Sequence, residues 1–229
     1  MRKPFYLILF FFTVFFSCSK DEETIIPDLG HDYAGLEVGK FVVYDVDSFF
    51  YDDFDNSIDT SYYQIKEVVD SEFEDLEGEQ AFKIIRYRKE TDSTNWVLID
   101  VWNSKVTQTN FQKTEENIRF VKLIFPIDVN DTWNGNSMNS LGSMDYEYTA
   151  IDQAETIGGV ALKNVLTVLQ LDNVNLVEEY YHEEKYAKGI GMVYKKQVDI
   201  SKKEFDTLTG VFERTLGTDI TMTLSYYGG

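Results

Sequence analysis

The sequence predicts an all-β fold, an antiparallel meander forming a sandwich or an open barrel, with little helix. Three observations carry that reading. From Phe41 onward apolar and polar side chains alternate with a period of two rather than 3.6. The alternating runs are rich in branched and aromatic residues, which suit a pleated, half-buried surface. Turn signals built on Gly, Asn and Asp recur between them.

In chain order, Phe41, Val43 and Asp45 alternate with Val42, Tyr44 and Val46, and further runs cover residues 62–69, 81–87, 96–102 and 118–125. The second half continues with residues 146–151, 160–171, 176–186, 192–200 and 219–227. Turns are expected at Glu77-Gly78, Asn134-Gly135-Asn136, Gly158-Gly159 and Asp172-Asn173. Strands joined by such short connections pair with their sequence neighbours, which favours hairpins over crossovers. Residues 201–216 are the one stretch where a short helix fits. Gly and Asn accumulate over residues 128–143 as a weak seam, but no low-complexity linker interrupts residues 33–229, so these are read as a single β domain.

The N-terminus has a different character. Arg2 and Lys3 precede an apolar run over residues 5–16 broken only at Thr13, the pattern of a cleaved secretory signal peptide over residues 1–17. A membrane-spanning helix needs roughly 20 apolar residues, more than this run supplies. The chain has one cysteine, Cys18, at the end of the run, which excludes a disulfide framework. Residues 18–32 then read as a flexible acidic tether with Pro27 and Gly30 and no sustained period.

Phe15-Phe16-Ser17-Cys18 resembles the lipobox of bacterial lipoproteins, in which a small residue precedes a cysteine that is acylated and becomes the mature N-terminus. Ser17 fits; Phe15 and Phe16 stand where that pattern usually has Leu and a small residue. Lys20-Asp21-Glu22-Glu23, directly after Cys18, is similar to the export signal of Bacteroidota surface lipoproteins. The resemblance implies lipid attachment at Cys18, an export signal at Lys20, Asp21, Glu22 and Glu23, and a place on the outer membrane, at the cell surface. Ser19 agrees, since inner-membrane retention in such lipoproteins more often shows Asp there. Three landmarks also resemble a widespread class of secreted bacterial β domains: Gly39-Lys40-Phe41-Val42-Val43-Tyr44, Phe125-Pro126-Ile127 with Trp133, and residues 186–193. That resemblance implies a fold and a location but no activity.

Charge narrows the partners. Loss of Arg2 and Lys3 with the signal peptide leaves 19 of 21 basic residues against 40 acidic ones, a formal charge of −21. Such a surface repels nucleic acid and anionic lipid, so contact with the membrane is expected through the lipid anchor alone.

Catalytic chemistry finds little support. The two histidines, His31 in the tether and His182 within Glu178-Glu179-Tyr180-Tyr181-His182-Glu183-Glu184, are too few for a zinc site that wants several converging His or Cys ligands. Asp53, Asp55, Ser57 and Asp59 have the spacing that begins an EF-hand loop, yet Ile58 stands where Gly is required and Gln64 where Glu is. A solvated hairpin loop is the simpler reading of residues 52–59, with a weak extracellular calcium site as the alternative. Forty acidic residues give no way to choose a hydrolytic pair, and no phosphate loop, nucleophile elbow or zincin motif occurs. The expectation is a protein that is not an enzyme, with no catalytic residues, no metal and no cofactor.

Adjacent aromatics recur as Phe49-Phe50-Tyr51, Tyr62-Tyr63, Tyr180-Tyr181 and Tyr226-Tyr227. Strand neighbours send their rings to opposite faces, so at least one of each group is expected to reach the surface, to stack on a glycan or anchor a protein. The function expected is a binding or interaction module at the cell surface, with a structural or assembly part of the outer envelope as the alternative. A sheet enclosing an apolar cavity would bring in a lipid-carrier reading.

Overall fold

The structure, a computed structural model, describes residues 28–90 and 94–229. It is all-β: twelve antiparallel strands form one sheet that curls into a nearly closed barrel. The strands are β1 (Phe41–Asp52), β2 (Ser57–Glu74), β3 (Gln80–Lys89), β4 (Val97–Val106), β5 (Asn110–Glu115) and β6 (Ile118–Ile124). The second half supplies β7 (Thr132–Asn134), β8 (Asp145–Ile157), β9 (Val160–Val174), β10 (Glu179–Ala187), β11 (Gly191–Asp206) and β12 (Val211–Gly228). Each strand pairs with its sequence neighbour, and β1 also pairs with β12, so the spatial order runs from β6 back to β1, then from β12 back to β7. The expected meander is thus a barrel rather than a sandwich.

The two sheet edges, β6 and β7, meet at residues 119–148, where a second row of contacts replaces a full ladder. Val121 N–H donates to Gly135 O (2.9 Å), Trp133 Nε1 donates to Val121 O (2.9 Å), and Tyr148 OH accepts from Ile124 N (2.8 Å) while donating to Ile124 O (2.7 Å). The Gly and Asn concentration over residues 128–143 is therefore the barrel's seam and not a domain boundary. Two apolar clusters fill the fold. One gathers Phe111, Leu123, Trp133, Tyr146, Tyr148 and Leu166 near the seam, and the other Val42, Tyr44, Val165, Val193 and Leu224 near the β1/β12 junction.

Three sequence expectations change. The domain packs from Asp28, not Tyr33: Asp28 pairs with Lys188 (2.9 Å), His31 lies edge-on to Phe125 (4.4 Å), and Tyr33 is buried. Residues 28–32 belong to the domain because a 3₁₀ turn at His31–Ala34 seats the chain on the β10–β11 connection. Gly35 completes that seat at φ +63, where an added Cβ would lie 2.4 Å from Ile190 O. Residues 201–216 form the outer part of the β11–β12 hairpin rather than a helix. Asp206 accepts from Leu208 N (2.8 Å) and Thr209 Oγ1 (2.8 Å), and Gly210 at φ +75 turns the chain back. The β9–β10 turn falls at residues 175–178 and not at Asp172-Asn173, which pair with Tyr181 and Tyr180 inside β9, and the next strand starts at Glu179.

An antiparallel meander puts alternate turns at opposite ends. The N-terminal segment meets the β10–β11 turn, which we call the base. The β1–β2, β9–β10 and β11–β12 turns lie at the other end, the tip.

Candidate functional site

Cys18, Lys20, Asp21, Glu22 and Glu23 lie outside the described residues. Among the described ones, two regions concentrate unusual chemistry: the barrel interior and the tip.

Inside, side chains from β2, β3, β5, β6, β10 and β11 form a chain of ion pairs. Lys122 Nζ lies 2.9 Å from Glu184 Oε1 and 3.2 Å from Glu115 Oε1, while Lys113 Nζ lies 2.8 Å from Glu67 Oε2. Arg86 Nε reaches Glu67 Oε1 at 3.0 Å with its guanidinium 3.6 Å over Trp102, and Lys195 stands 3.6 Å from Glu184. Tyr186 OH donates to Glu184 Oε2 at 2.5 Å. Glu184 is 1% exposed. Burial pushes the carboxyl groups of Glu115, Glu184 and Glu67 up, but the nearby ammonium groups, joined at Glu67 by the Arg86 guanidinium, outweigh it and hold all three below the ordinary carboxylate range. Burial likewise opposes the charge on Lys122, and Glu115 and Glu184 overcome it and push its value up. A general acid or base works best with a pKa near the operating pH. The carboxylates are driven down and Lys122 up, so all of them keep a fixed charge near pH 7.

The space they leave is a cavity of about 50 Å³, lined by Glu67, Ser104, Lys113, Glu115, Lys122 and Tyr186 with Val42, Ile84, Phe111 and Met192. Ligand pockets run to roughly 300–1,000 Å³. A cavity of this size holds a few waters, and the buried Ser104 hydroxyl, which has no hydrogen-bond partner among the described residues, suits such contents. An enclosed apolar cavity that would support lipid carriage is not what these residues build.

Sequence reasoning did not find this interior. Lys113 sits in a short polar-looking run and Lys122 is a lone cation in the apolar run over residues 118–125, and only pairing across the barrel puts them opposite Glu67 and Glu184.

Three carboxylates, Asp75, Glu77 and Glu79 in the β2–β3 turn, converge closely enough to hold a cation. Their centre is already taken by Lys105 Nζ, at 2.8, 2.5 and 2.7 Å from the three. Hydrogen bonds from Lys105 and from the turn's own backbone hold Asp75 at about 2. The loop over residues 52–59 is no better prepared for metal. Asp52 and Asp55 accept from the turn's backbone at Phe54 and Ser57, and Asp53 pairs with Lys202 (3.0 Å). Adding millimolar calcium should therefore leave the melting temperature unchanged; a rise of several degrees in a calorimetric scan would reveal a site assembled from these carboxylates.

His182 Nε2 lies 2.8 Å from Asp199 Oδ1, and that contact, with a hydrogen bond from Gln197, lowers the Asp199 value. Among the described residues no serine, threonine or cysteine is hydrogen-bonded to this histidine. His31 serves packing.

The aromatic expectation divides. Phe50, Tyr62, Tyr226 and Tyr227 are exposed, whereas Tyr63 lies under the Arg88 guanidinium (3.7 Å) and Tyr180 and Tyr181 are half-buried. Trp133 is buried, and Trp102 carries Arg86 on one face.

At the tip the apolar residues are of another kind. Phe54 is 94% exposed, Leu176 67% and Leu208 95%, with Ile58, Val177, Phe205 and Val211 also exposed. These come from three separate turns that are tied together: Lys203 N–H donates to Val177 O (2.7 Å), and Lys202 pairs with Asp53. Their carriers are Phe and branched aliphatics, which offer apolar area without the polar handle of Tyr and Trp. Sequence reading missed this patch because its members lie far apart in the chain and meet only through the barrel.

No family model and no curated protein matches the chain. Among solved structures, it is similar over 84% of its length to 97% of a protein from Bacteroides fragilis NCTC 9343, provisionally described as exported with a YmcC-like fold (11% identity, TM-score 0.44). It is also similar over 86% of its length to 98% of a protein from Parabacteroides distasonis ATCC 8503, provisionally described as a lipoprotein (11% identity, TM-score 0.43).

Proposed function

We propose that this chain is a lipoprotein of the outer envelope, held by acyl chains on Cys18 and exposed at the cell surface, whose barrel is a non-catalytic module that binds a protein. The observation that carries the binding role is the apolar tip. Soluble domains seldom expose contiguous apolar patches without a partner, and this one gathers side chains from three turns at the end away from the tether. The interior supports the same reading from the other side, since its ion pairs are fixed and its cavity is too small for cargo.

Nine residues lie between Cys18 and Asp28, a reach of at most about 35 Å when fully extended. The base then faces the leaflet and the tip points outward, a placement that the repulsion between the acidic domain and anionic lipid favours. More than one acyl chain, at roughly 0.8 kcal/mol per buried CH₂, makes the attachment stable.

Replacing Cys18 with Ala should release the protein from the membrane fraction, and protease added to intact cells should digest the wild type. Joint replacement of Lys20, Asp21 and Glu22 by Ala should leave it anchored but protected. Equal protection of both, with a periplasmic control intact, would place the domain in the periplasm. For the binding role, a photo-crosslinking residue at Leu208 should give an adduct of discrete size in intact cells, and one at Leu76, fully exposed at the base, should give none. Absence of an adduct from Leu208 would remove the module reading.

A further inference from the structure

The β11–β12 hairpin extends past its neighbours. Pairing of β10 with β11 ends at Glu179↔Ile200, and pairing of β1 with β12 ends at Tyr51↔Gly217, while β11 and β12 stay paired out to Asp206↔Val211. Residues 211–216 therefore present an outer strand edge with no strand beside it among the described residues. Such an edge is a template for another extended chain.

The register shows what that chain would carry. Phe205 faces Phe212 across the hairpin with rings 5.2 Å apart, giving one apolar face. On the other face Glu204 stands directly opposite Glu213. Like charges in that position destabilise a sheet. Lys202 approaches Glu204 at 2.7 Å, and no basic group lies within ion-pair distance of Glu213 among the described residues. A cation arriving on the β12 side would relieve the repulsion. A second copy of this chain would bring acid against acid, and anionic lipid would bring phosphate.

Resting on the binding role proposed above, we infer that the free edge of β12 over residues 211–216 accepts an extended segment of a partner protein, with lysine or arginine alternating with branched apolar residues. The added strand hydrogen-bonds to the β12 backbone, its cation lies beside Glu213, and its apolar side chains extend the Phe205/Phe212 face toward Leu208. Main-chain bonds supply affinity in this mode and the alternating side chains supply selectivity.

The test uses the full mature chain in detergent and three fluorescent octapeptides: alternating Val and Lys, alternating Val and Glu, and the Val/Lys peptide with proline at every second valine. Anisotropy should report binding of the Val/Lys peptide, weakening as salt rises, and at least tenfold weaker binding of the other two. Glu213→Lys should weaken the Val/Lys peptide by at least tenfold and Leu208→Ser by a smaller factor, whereas Leu76→Ser at the base should change nothing. Equal binding of the proline peptide, or indifference to Glu213→Lys, overturns strand addition. Binding to phosphatidylcholine vesicles that is lost in Leu208→Ser would assign the tip to a lipid surface and overturn it as well. If the peptides fail while the Leu208 crosslink in cells still forms, strand addition falls and the module reading stands; if both fail, both fall.

Discussion

Replacing Lys122 with methionine lowers the melting temperature by roughly 10 °C. The substitution keeps the stem's volume but removes the ammonium group that Glu115 and Glu184 both face. Breaking a buried pair by deleting one partner costs about 3–5 kcal/mol, because the surviving charge stays buried without compensation. In a domain of this size each kcal/mol moves the midpoint by about 2–4 °C. The pH dependence distinguishes this mechanism from a simple packing defect. In the wild type, burial pushes Glu67, Glu115 and Glu184 up and the neighbouring Lys and Arg cations more than offset it, so their folded values are depressed. Depressed carboxylates contribute stability that is present above their unfolded value, about 4.3, and lost as pH falls through the folded values. Wild-type stability should therefore decline progressively below about pH 4. In Lys122→Met the dominant opposing charge is gone and burial prevails, so Glu115 and Glu184 titrate above their unfolded value. The gap between variant and wild type should then narrow as pH falls from 7 to 5. Thermal melts across that range measure it, and a gap independent of pH would mean that the loss is a packing defect and not an uncompensated buried charge.

Trp133→Ala opens the barrel at its seam, with an expected loss of about 3–5 kcal/mol for an aromatic ring removed from a packed site. The ring lies 4.5 Å from Tyr148 and 5.7 Å from Tyr146 between centroids, and its Nε1–H bonds the Val121 carbonyl, so one side chain holds both sheet edges. Hydrogen exchange should show protection lost first in β6, β7 and the amide of Val121, with β1, β2, β11 and β12 protected until global unfolding. Trp133→Phe, which keeps a ring but not the donor, should fall between. Uniform loss of protection in Trp133→Ala would show that the seam is not a separate weak point.

Much of the architecture was legible in local pattern. Alternation located ten of the twelve strands, because one face of each is buried and the other wet, and Gly and Asn marked the β2–β3, β7–β8 and β8–β9 turns. The strands it missed show its limit. Asn110–Glu115 reads as polar because Lys113 and Glu115 find their partners inside the barrel, and Thr132–Asn134 is too short to display a period. Residues 201–216 admitted a helix since Phe205, Leu208 and Phe212 fall at helical spacing. Pairing between β11 and β12 and the turn at Gly210 decided otherwise, as tertiary context overrides weak propensity.

The sequence by itself determined the class of the fold and the acidic character of its surface, and it alone supports lipid attachment at Cys18 with the motif that follows. Those properties reside in local order: composition, period and the distance of a few residues from a cysteine. Only the tertiary structure decided that the sheet curls into a nearly closed barrel, that its interior holds a chain of ion pairs, and that three distant turns carry exposed apolar side chains at one end. Each of these depends on which residues stand opposite one another across strands far apart in the chain. That register is set by the packing of the whole sheet, and a one-residue slip would exchange the buried and exposed faces.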